Sequence, residues 1–233
     1  MKIDNTVSTP KSNISDKNHK RKIAAASIAG SAIGIAGSVA GVYALAKKGN
    51  PALTLKKLSY DEKDVLLIGA GSVLGGLAGG LIADRNKENV KPKLREASQQ
   101  FFGNMLFPLG FLSLGNNILE KTNFKLPKIN SDSKPARIVN GVFSLLPKVA
   151  VTVASLVGGM EIGNNIMNKV NNKIFKEDVK HEVNIEDYFV HADDLCLTAN
   201  MLLKDAKLIS RLTSKVLPAT FIVAGSKTGM QGN

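Results

Sequence analysis

Four apolar runs separated by polar, lysine-rich stretches dominate the chain. They cover residues 23–46, 65–83, 97–119 and 138–160, and the first three contain no charged residue. Each is about as long as the 20-residue α-helix that crosses the hydrocarbon core of a bilayer. The pattern predicts an all-α, multi-pass membrane protein with its membrane domain over residues 23–163.

Small residues in the first two runs recur every three or four positions, so each set forms a stripe along one helix face. Glycine destabilises a helix in water, whereas in lipid a groove without side chains lets another helix approach closely. We therefore predict a glycine-rich, antiparallel helical hairpin, which is similar to glycine-zipper membrane hairpins. The predicted helix-packing residues are Gly30, Gly34, Gly37, Gly41, Gly69, Gly76 and Gly79.

The third and fourth runs are less regular and are predicted to pair with each other. Pro108 lies inside the third run, and Pro147 and Lys148 lie near the middle of the fourth. A lysine at the bilayer centre costs roughly 2.5–3.5 kcal/mol. Two shorter helices, one ending at Leu146 and one starting at Val149, are therefore an alternative to a fourth span.

Residues 164–218 have the pattern of a helical tail. A heptad seam begins at Ile185, and its alanines, Ala192, Ala199 and Ala206, complete the predicted packing residues. We expect the seam to form a helical hairpin with the preceding helix, through Ile166, Val170 and Ile174. The opposite face is either solvated or rests on anionic lipid. Its basic residues are Lys204, Lys207, Arg211 and Lys215.

The two ends of the chain are predicted to lie outside the folded bundle. Residues 1–22 are polar and basic and are predicted to be disordered, and residues 219–233 are predicted to be a flexible C-terminus. The basic stretch before the first run, with Ala44-Leu45-Ala46 at the end of that run, mimics a cleavable secretory signal. The run is longer than such signals, which favours an uncleaved first span.

Charge and composition favour a membrane over nucleic acid as the partner. The net charge is +12, but the chain has no Trp and only three Tyr, so base-stacking aromatics are scarce. A lysine-rich surface fits an anionic bilayer. The distribution of lysines favours a cytoplasmic membrane location with both termini in the cytoplasm. The single cysteine, Cys196, excludes an intramolecular disulfide.

Few residues could carry chemistry. The glycines after Asp64 resemble a dinucleotide fingerprint, but the sixth motif position is Leu74 rather than glycine. Asp187, His191 and Asp194 could place metal ligands on one helix face, although charged helix surfaces often contain such sets. Motifs for nucleophilic catalysis are absent from the sequence. We therefore expect no enzyme activity, no cofactor and no catalytic residue.

The expected function is a structural or assembly component that associates through its small-residue faces with itself or with other membrane subunits. A channel or translocation subunit is the alternative, with Lys148 and Glu161 as its intramembrane charges. Four short glycine-rich spans also resemble mitochondrial inner-membrane translocase subunits, and that resemblance implies the same alternative. A soluble nucleotide-binding protein is a further alternative, and it would need the incomplete fingerprint.

Overall fold

A computed structural model describes residues 11–55, 58, 60, 62–131, 133–188, 191 and 220–232. The described residues form helices and no strand, which confirms the all-α prediction. The helices are α1 (Lys11–Gly49), α2 (Glu62–Ala83), α3 (Val90–Ser98), α4 (Phe107–Thr122), α5 (Lys134–Phe175) and α6 (Ile185–Tyr188). A short 3₁₀ turn, Lys87–Asn89, precedes α3, and a π-helical segment, Gln99–Leu106, joins α3 to α4. Residues 220–230 form a helix that we call the C-terminal helix.

Among the described residues, three helices are long and apolar enough to cross a membrane, judged by length and composition: Asp16–Gly49, Lys63–Ala83 and Lys134–Phe175. The predicted run 97–119 is not among them, because its residues are divided between α3, the π-helical segment and α4. The backbone nevertheless stays helical from Val90 to Thr122. Residues 11–22, predicted to be disordered, instead form the first turns of α1.

The antiparallel contact between α1 and α2 is made by residues four positions apart. A Cβ at Gly30 would overlap the backbone of Gly75, and one at Gly34 would overlap Gly71. Ser38, the next residue at this spacing, contacts Gly71. Small residues at every fourth position let two helix backbones approach closely in membranes. The contact thus follows a four-residue repeat rather than the predicted heptad.

Gly37 and Gly41 do not belong to this contact, contrary to the prediction. In the part of the chain that the structure describes, a Cβ at either position would meet no other element within 4 Å, and both residues are exposed. Because the contacting ridge advances by four residues, Ser38 takes the place that the heptad assigned to Gly37. The two glycines therefore lie on the outer surface of α1.

The C-terminal helix packs on a second small face of α2, where the sequence predicted a flexible C-terminus. Gly225 lies against Ser72 and Gly76, and Gly229 lies against Gly80. The Ser72 hydroxyl also donates a 2.5 Å hydrogen bond to the Phe221 carbonyl. Glycine and serine are common in linkers, but here they allow backbones to touch. The contact of Gly225 with Ser72 and that of Gly229 with Gly80 advance in the same direction along both helices. The C-terminal helix therefore runs parallel to α2.

The second pair of helices, α4 and α5, is also antiparallel. A Cβ on Gly159 would lie 2.7 Å from the Pro108 Cα, and one on Gly115 would lie 2.7 Å from Val151 Cγ1. Helix α5 continues through Pro147, so the alternative of two shorter helices is wrong. It also continues past the predicted boundary at 163/164 to Phe175. Its 42 residues give a length of about 63 Å.

Apolar side chains join the two pairs and cover their outside. Ile68, Met105 and Phe221 share one buried cluster between α2, the π-helical segment and the C-terminal helix. Large apolar side chains on the outer faces are exposed, which is the arrangement a lipid environment stabilises. They include Ile33, Leu74, Ile82, Leu114 and Ile118.

Candidate functional site

A buried polar network lies where the π-helical segment meets α5. A π-helical turn is wider than an α-helical one and is frequent at functional sites. Here it coincides with three polar side chains that are fully buried: Gln99, Gln100 and Asn104 are each 1% exposed or less. Polar side chains buried in a membrane bundle need partners, because no water is available to satisfy them.

Amide side chains from α5 supply the partners on one side. Asn164 Nδ2 donates to Asn104 Oδ1 over 2.6 Å, and Gln99 Nε2 donates to Asn164 Oδ1. Two turns further along α5, Asn171 Nδ2 donates to Gln99 Oε1 over 3.1 Å. Ser98 Oγ donates to Asn171 Oδ1 over 2.7 Å and extends the chain into α3. The result is a continuous hydrogen-bonded seam between the two helices.

Ionised groups complete the network on the other side. Gln100 Nε2 donates to Glu96 Oε1 over 2.8 Å and to Asp187 Oδ1 over 3.1 Å. Lys227 Nζ, from the C-terminal helix, donates to the same Asp187 oxygen over 3.0 Å. The His181 ring lies between the two carboxylates, 3.4 Å from Glu96 and 3.5 Å from Asp187. This charged cluster (Glu96, His181, Asp187, Lys227) joins α3, α6 and the C-terminal helix.

The local sequence explains how Asp187 and His181 are held. The Asn184 backbone N–H donates to Asp187 Oδ2 over 2.8 Å, which is the capping interaction expected for the first turn of α6. The His181 backbone donates to Asn168 Oδ1 and accepts from Asn168 Nδ2, both over 2.9 Å. The loop after α5 is thereby fixed to α5 itself.

The electrostatics favour the charged form of both side chains. Burial by itself lowers the pKa of His181, but the negative charges of Asp187 and Glu96 outweigh it and raise that pKa to about 9. Burial by itself raises the pKa of Asp187, but the donors around it, His181 first among them, hold that pKa well below its usual range. At neutral pH the cluster therefore contains an imidazolium between two carboxylates.

Two buried polar atoms next to the charged cluster make no hydrogen bond: Arg95 Nη1 and His181 Nε2. His181 Nε2 is within ion-pair distance of Asp187, and Arg95 Nη1 lies 3.9 Å from Glu177 Oε2. Both side chains line a cavity of about 260 Å³, which Gln99 and Lys180 also line. Among the described residues, the amide groups facing α5 are therefore hydrogen-bonded to one another, whereas two polar atoms beside this cavity are not.

A second buried ion pair closes the end of α2. Lys93, with no exposed surface, donates from Nζ to Asp84 Oδ2 over 2.8 Å and to the Gln231 carbonyl over 2.6 Å. Asn89 Nδ2 donates to the same Asp84 oxygen over 2.8 Å, and His19 Nε2 is 3.9 Å from Asp84 Oδ1. The ends of α1, α2 and the C-terminal helix thus meet at one ion pair.

The structure places the predicted metal ligands differently from a surface site. Asp187 is bound as described above, and His191 is buried with Nε2 2.7 Å from the Asn104 carbonyl. Asp194 lies outside the described residues. Among the described residues, no group of three or more His, Cys, Asp or Glu side chains could hold a metal ion.

The predicted packing residues are divided between three kinds of place. Gly30, Gly34 and Gly79 lie in the contact of α1 with α2, Gly76 lies against the C-terminal helix, and Gly69 lies against Met105 and Phe221. Gly37 and Gly41 lie on the outer surface. Ala192, Ala199 and Ala206 lie outside the described residues, as do the predicted lipid-surface residues Lys204, Lys207, Arg211 and Lys215. Their predicted partners on α5, Ile166, Val170 and Ile174, are exposed.

Most of the polar network was not predicted from the sequence. The sequence Gly-Asn-Asn-Ile occurs at both 115–118 and 163–166, but this repeat does not by itself indicate that its asparagines are buried. A signal was present: Asn164, Asn168 and Asn171 are spaced by four and three residues, which places them on one face of α5. Charged residues next to an apolar run are usually exposed to solvent, so the sequence did not indicate that Glu96 is buried.

Comparison with known proteins gives no family for this chain. No protein-family model, curated protein or solved structure matches it.

Proposed function

We propose that this chain is an integral membrane protein with a structural or assembly role and no catalytic activity. The proposal rests on which side chains face the interior of the helix bundle and which face outward. Small and polar residues are turned inward, where they hold helices together, whereas large apolar side chains on the long helices are exposed. Such an exterior is stable in lipid and unfavourable in water.

The helix register supports four crossings of one bilayer: α1, α2, the continuous helix from Val90 to Thr122, and α5. Leu119 ends an uncharged run and lines the same groove as Lys148. From Lys148 to Lys169 is about 31 Å along α5, close to the thickness of about 30 Å of a hydrocarbon core. In this register Lys148 lies at a membrane surface, rather than at the centre as the predicted span 138–160 implied.

Four crossings also place both ends of the described chain on one side. His19 on α1 and Gln231 after the C-terminal helix meet at the Asp84–Lys93 pair. We propose that this side is the cytoplasm, because the segments on this side have more basic residues than the two connecting loops.

Assembly with a second copy is proposed through the outer face of α1. Gly37, Ala40, Gly41 and Ala44 are exposed on this face, and nothing in the described chain covers the glycines. The inner glycines of α1 already contact α2, whereas the small residues of the outer face remain available for association with another helix.

Two measurements test the proposal. Carbonate washing should leave the protein in the membrane pellet, and release into the supernatant would contradict membrane integration. In a Cys196→Ser background, Gly41→Cys should form a disulfide-linked dimer in membranes, whereas Ile82→Cys on the outer face of α2 should not. Equal cross-linking at both positions would contradict a specific α1 interface.

A second candidate function, proton or ion translocation, is favoured by the buried charged cluster. Ionisable residues inside membrane bundles often belong to ion or proton pathways. The hydrogen-bonded chain from Asp187 through Gln100 to Asn104 leads from that cluster towards the middle of the bundle. Proton flux into proteoliposomes that Asp187→Asn abolishes would support this function, and flux at the level of empty vesicles would exclude it.

A further inference from the structure

A groove of about 550 Å³ lies between the end of α4, the loop after it and the proline turn of α5. Its polar lining includes the amides of Asn116 and Asn123, the hydroxyls of Ser144 and Thr152, and the ammonium groups of Lys125 and Lys148. Leu119, Phe124 and Pro147 form its apolar wall. A site with a polar, cationic end and an apolar wall suits an amphiphilic ligand.

The register places this groove at the membrane surface proposed above. Leu119, the last residue of the uncharged run 97–119, lines the groove together with Lys148. Lys148 lies about 31 Å along α5 from Lys169, which matches the thickness of about 30 Å of a hydrocarbon core. The groove is therefore level with phospholipid headgroups, and its apolar wall faces towards the acyl chains.

The charges of the groove are unbalanced. Lys125 and Lys148 form no ion pair within the part of the chain that the structure describes. Glu120 also lines the groove, and it likewise forms no ion pair with a described residue. Two ammonium groups against one carboxylate leave a net positive charge. A phosphate group with its negative charge is the complementary ligand, and the amide groups of Asn116 and Asn123 can donate to its remaining oxygens.

We infer that this groove binds the phosphate headgroup of an anionic phospholipid, with Lys148 and Lys125 as the phosphate-binding residues. The apolar wall then contacts the first part of an acyl chain, which free phosphate lacks. This inference rests on the membrane placement in the proposed function, but it does not depend on assembly through α1.

The absence of Trp from the chain allows a site-specific test. Phe124→Trp would place the only tryptophan on the wall of the groove in the otherwise intact protein. The protein is reconstituted into phosphatidylcholine vesicles that contain 20 mol% of either brominated phosphatidylglycerol or brominated phosphatidylcholine. We expect the bromine of phosphatidylglycerol to quench the tryptophan preferentially, with a relative association constant at least fivefold higher than that of phosphatidylcholine.

Removing a groove lysine should reduce that preference. Lys148→Gln and Lys125→Gln should each lower it about fivefold, since one lysine near an anionic surface is worth about that factor. Lys148→Arg should keep it, and raising the salt concentration should weaken it without any substitution. The control is Lys121→Gln, which removes the same charge near the same surface but outside the groove.

Three outcomes would overturn the inference. Equal quenching by the two brominated lipids would show no headgroup selectivity. A loss of preference in Lys121→Gln as large as in Lys148→Gln would assign the selectivity to the general surface charge. Displacement of phosphatidylglycerol by millimolar inorganic phosphate would identify a free-anion site. If the proposed membrane placement itself were wrong, neither lipid would quench and carbonate would release the protein.

Discussion

The two helix pairs of this protein are held together by different physical means. The pair α1 and α2, with the C-terminal helix, packs backbone against backbone through glycine and serine. The helix from Val90 to Thr122 and α5 also approach closely at Gly115 and Gly159, but they add a seam of buried amide side chains. Close backbone packing requires that no side chain lies between the two helices, whereas the polar network requires a hydrogen-bonding partner for each buried polar group. The first should therefore fail when volume is added, and the second when a donor or acceptor is removed.

The largest expected effect concerns the charged cluster. Asp187→Ala removes a buried carboxylate that interacts with Lys227, Gln100 and His181 at once. We expect a loss of about 3–5 kcal/mol in the free energy of unfolding, measured by denaturant titration in detergent micelles. Glu182→Ala is the control: it removes an exposed carboxylate from the loop before α6 and should change little. A tolerated Asp187→Ala would show that the cluster does not hold the helices together.

The next effect tests close packing, with two substitutions one turn apart. Gly34→Leu adds a side chain where a Cβ would already overlap Gly71, so it should cost about 1–3 kcal/mol. Gly37→Leu makes the same chemical change on the outer surface, so it should cost nothing when measured in dilute micelles that hold a single chain. Because both gain the same helix propensity, the difference between their unfolding free energies reports packing alone. Equal stabilities would mean that the four-residue ridge is not the packing surface.

The outcome at Gly34 and Gly37 shows what the sequence could reveal. Alternating polar and apolar stretches predicted the helices, because their length and hydrophobicity are local properties. The small-residue stripe predicted that α1 and α2 have packing faces, but a heptad and a four-residue ridge share Gly30 and Gly34. Only the position of the partner distinguishes them beyond that point. Residues 220–230 were missed for a related reason, since glycine and serine also occur in flexible segments.

A smaller effect is expected for the amide seam. Asn164→Leu removes the side-chain partner of Gln99 Nε2 and of Asn104 Oδ1 and should cost about 1–2 kcal/mol, because side-chain hydrogen bonds in membranes are individually modest. Asn165→Leu is the matched neighbour on the exposed face of α5. We expect thermal unfolding monitored by circular dichroism to separate the two. Destabilisation by Asn165→Leu as large as that by Asn164→Leu would contradict the assigned seam.

The amide seam was also the part of the site least accessible to prediction. Asn164, Asn168 and Asn171 share a helix face, but surface helices contain similar patterns. Their burial depends on a π-helical segment in the partner helix, and no local sequence rule predicted that segment. His181 lies in a loop, and its role depends on the nearby Asp187 and on Glu96, which is distant in sequence.

The smallest effect is a dependence on pH. The pKa of His181 is about 9 in the folded protein, above the usual value of about 6.5 in an unfolded chain. The stabilisation from its protonation is fully present below pH 6.5 and is lost as pH rises through 9. The melting temperature should therefore fall between pH 6.5 and 9, and His181→Gln should flatten this dependence. An unchanged slope in His181→Gln would assign the effect to another group.

The position of the C-terminal helix has a consequence for the timing of synthesis. The hydrogen bond from Ser72 to Phe221 joins residues 149 positions apart. A ribosome that adds 5–20 residues per second needs roughly 7–30 s to make the intervening chain. During that time Gly76 and Gly80 have no backbone to contact, so α1 and α2 must survive as a pair with an open groove. Any other small-faced helix that the nascent protein meets in this interval competes for the groove with the segment that finally fills it.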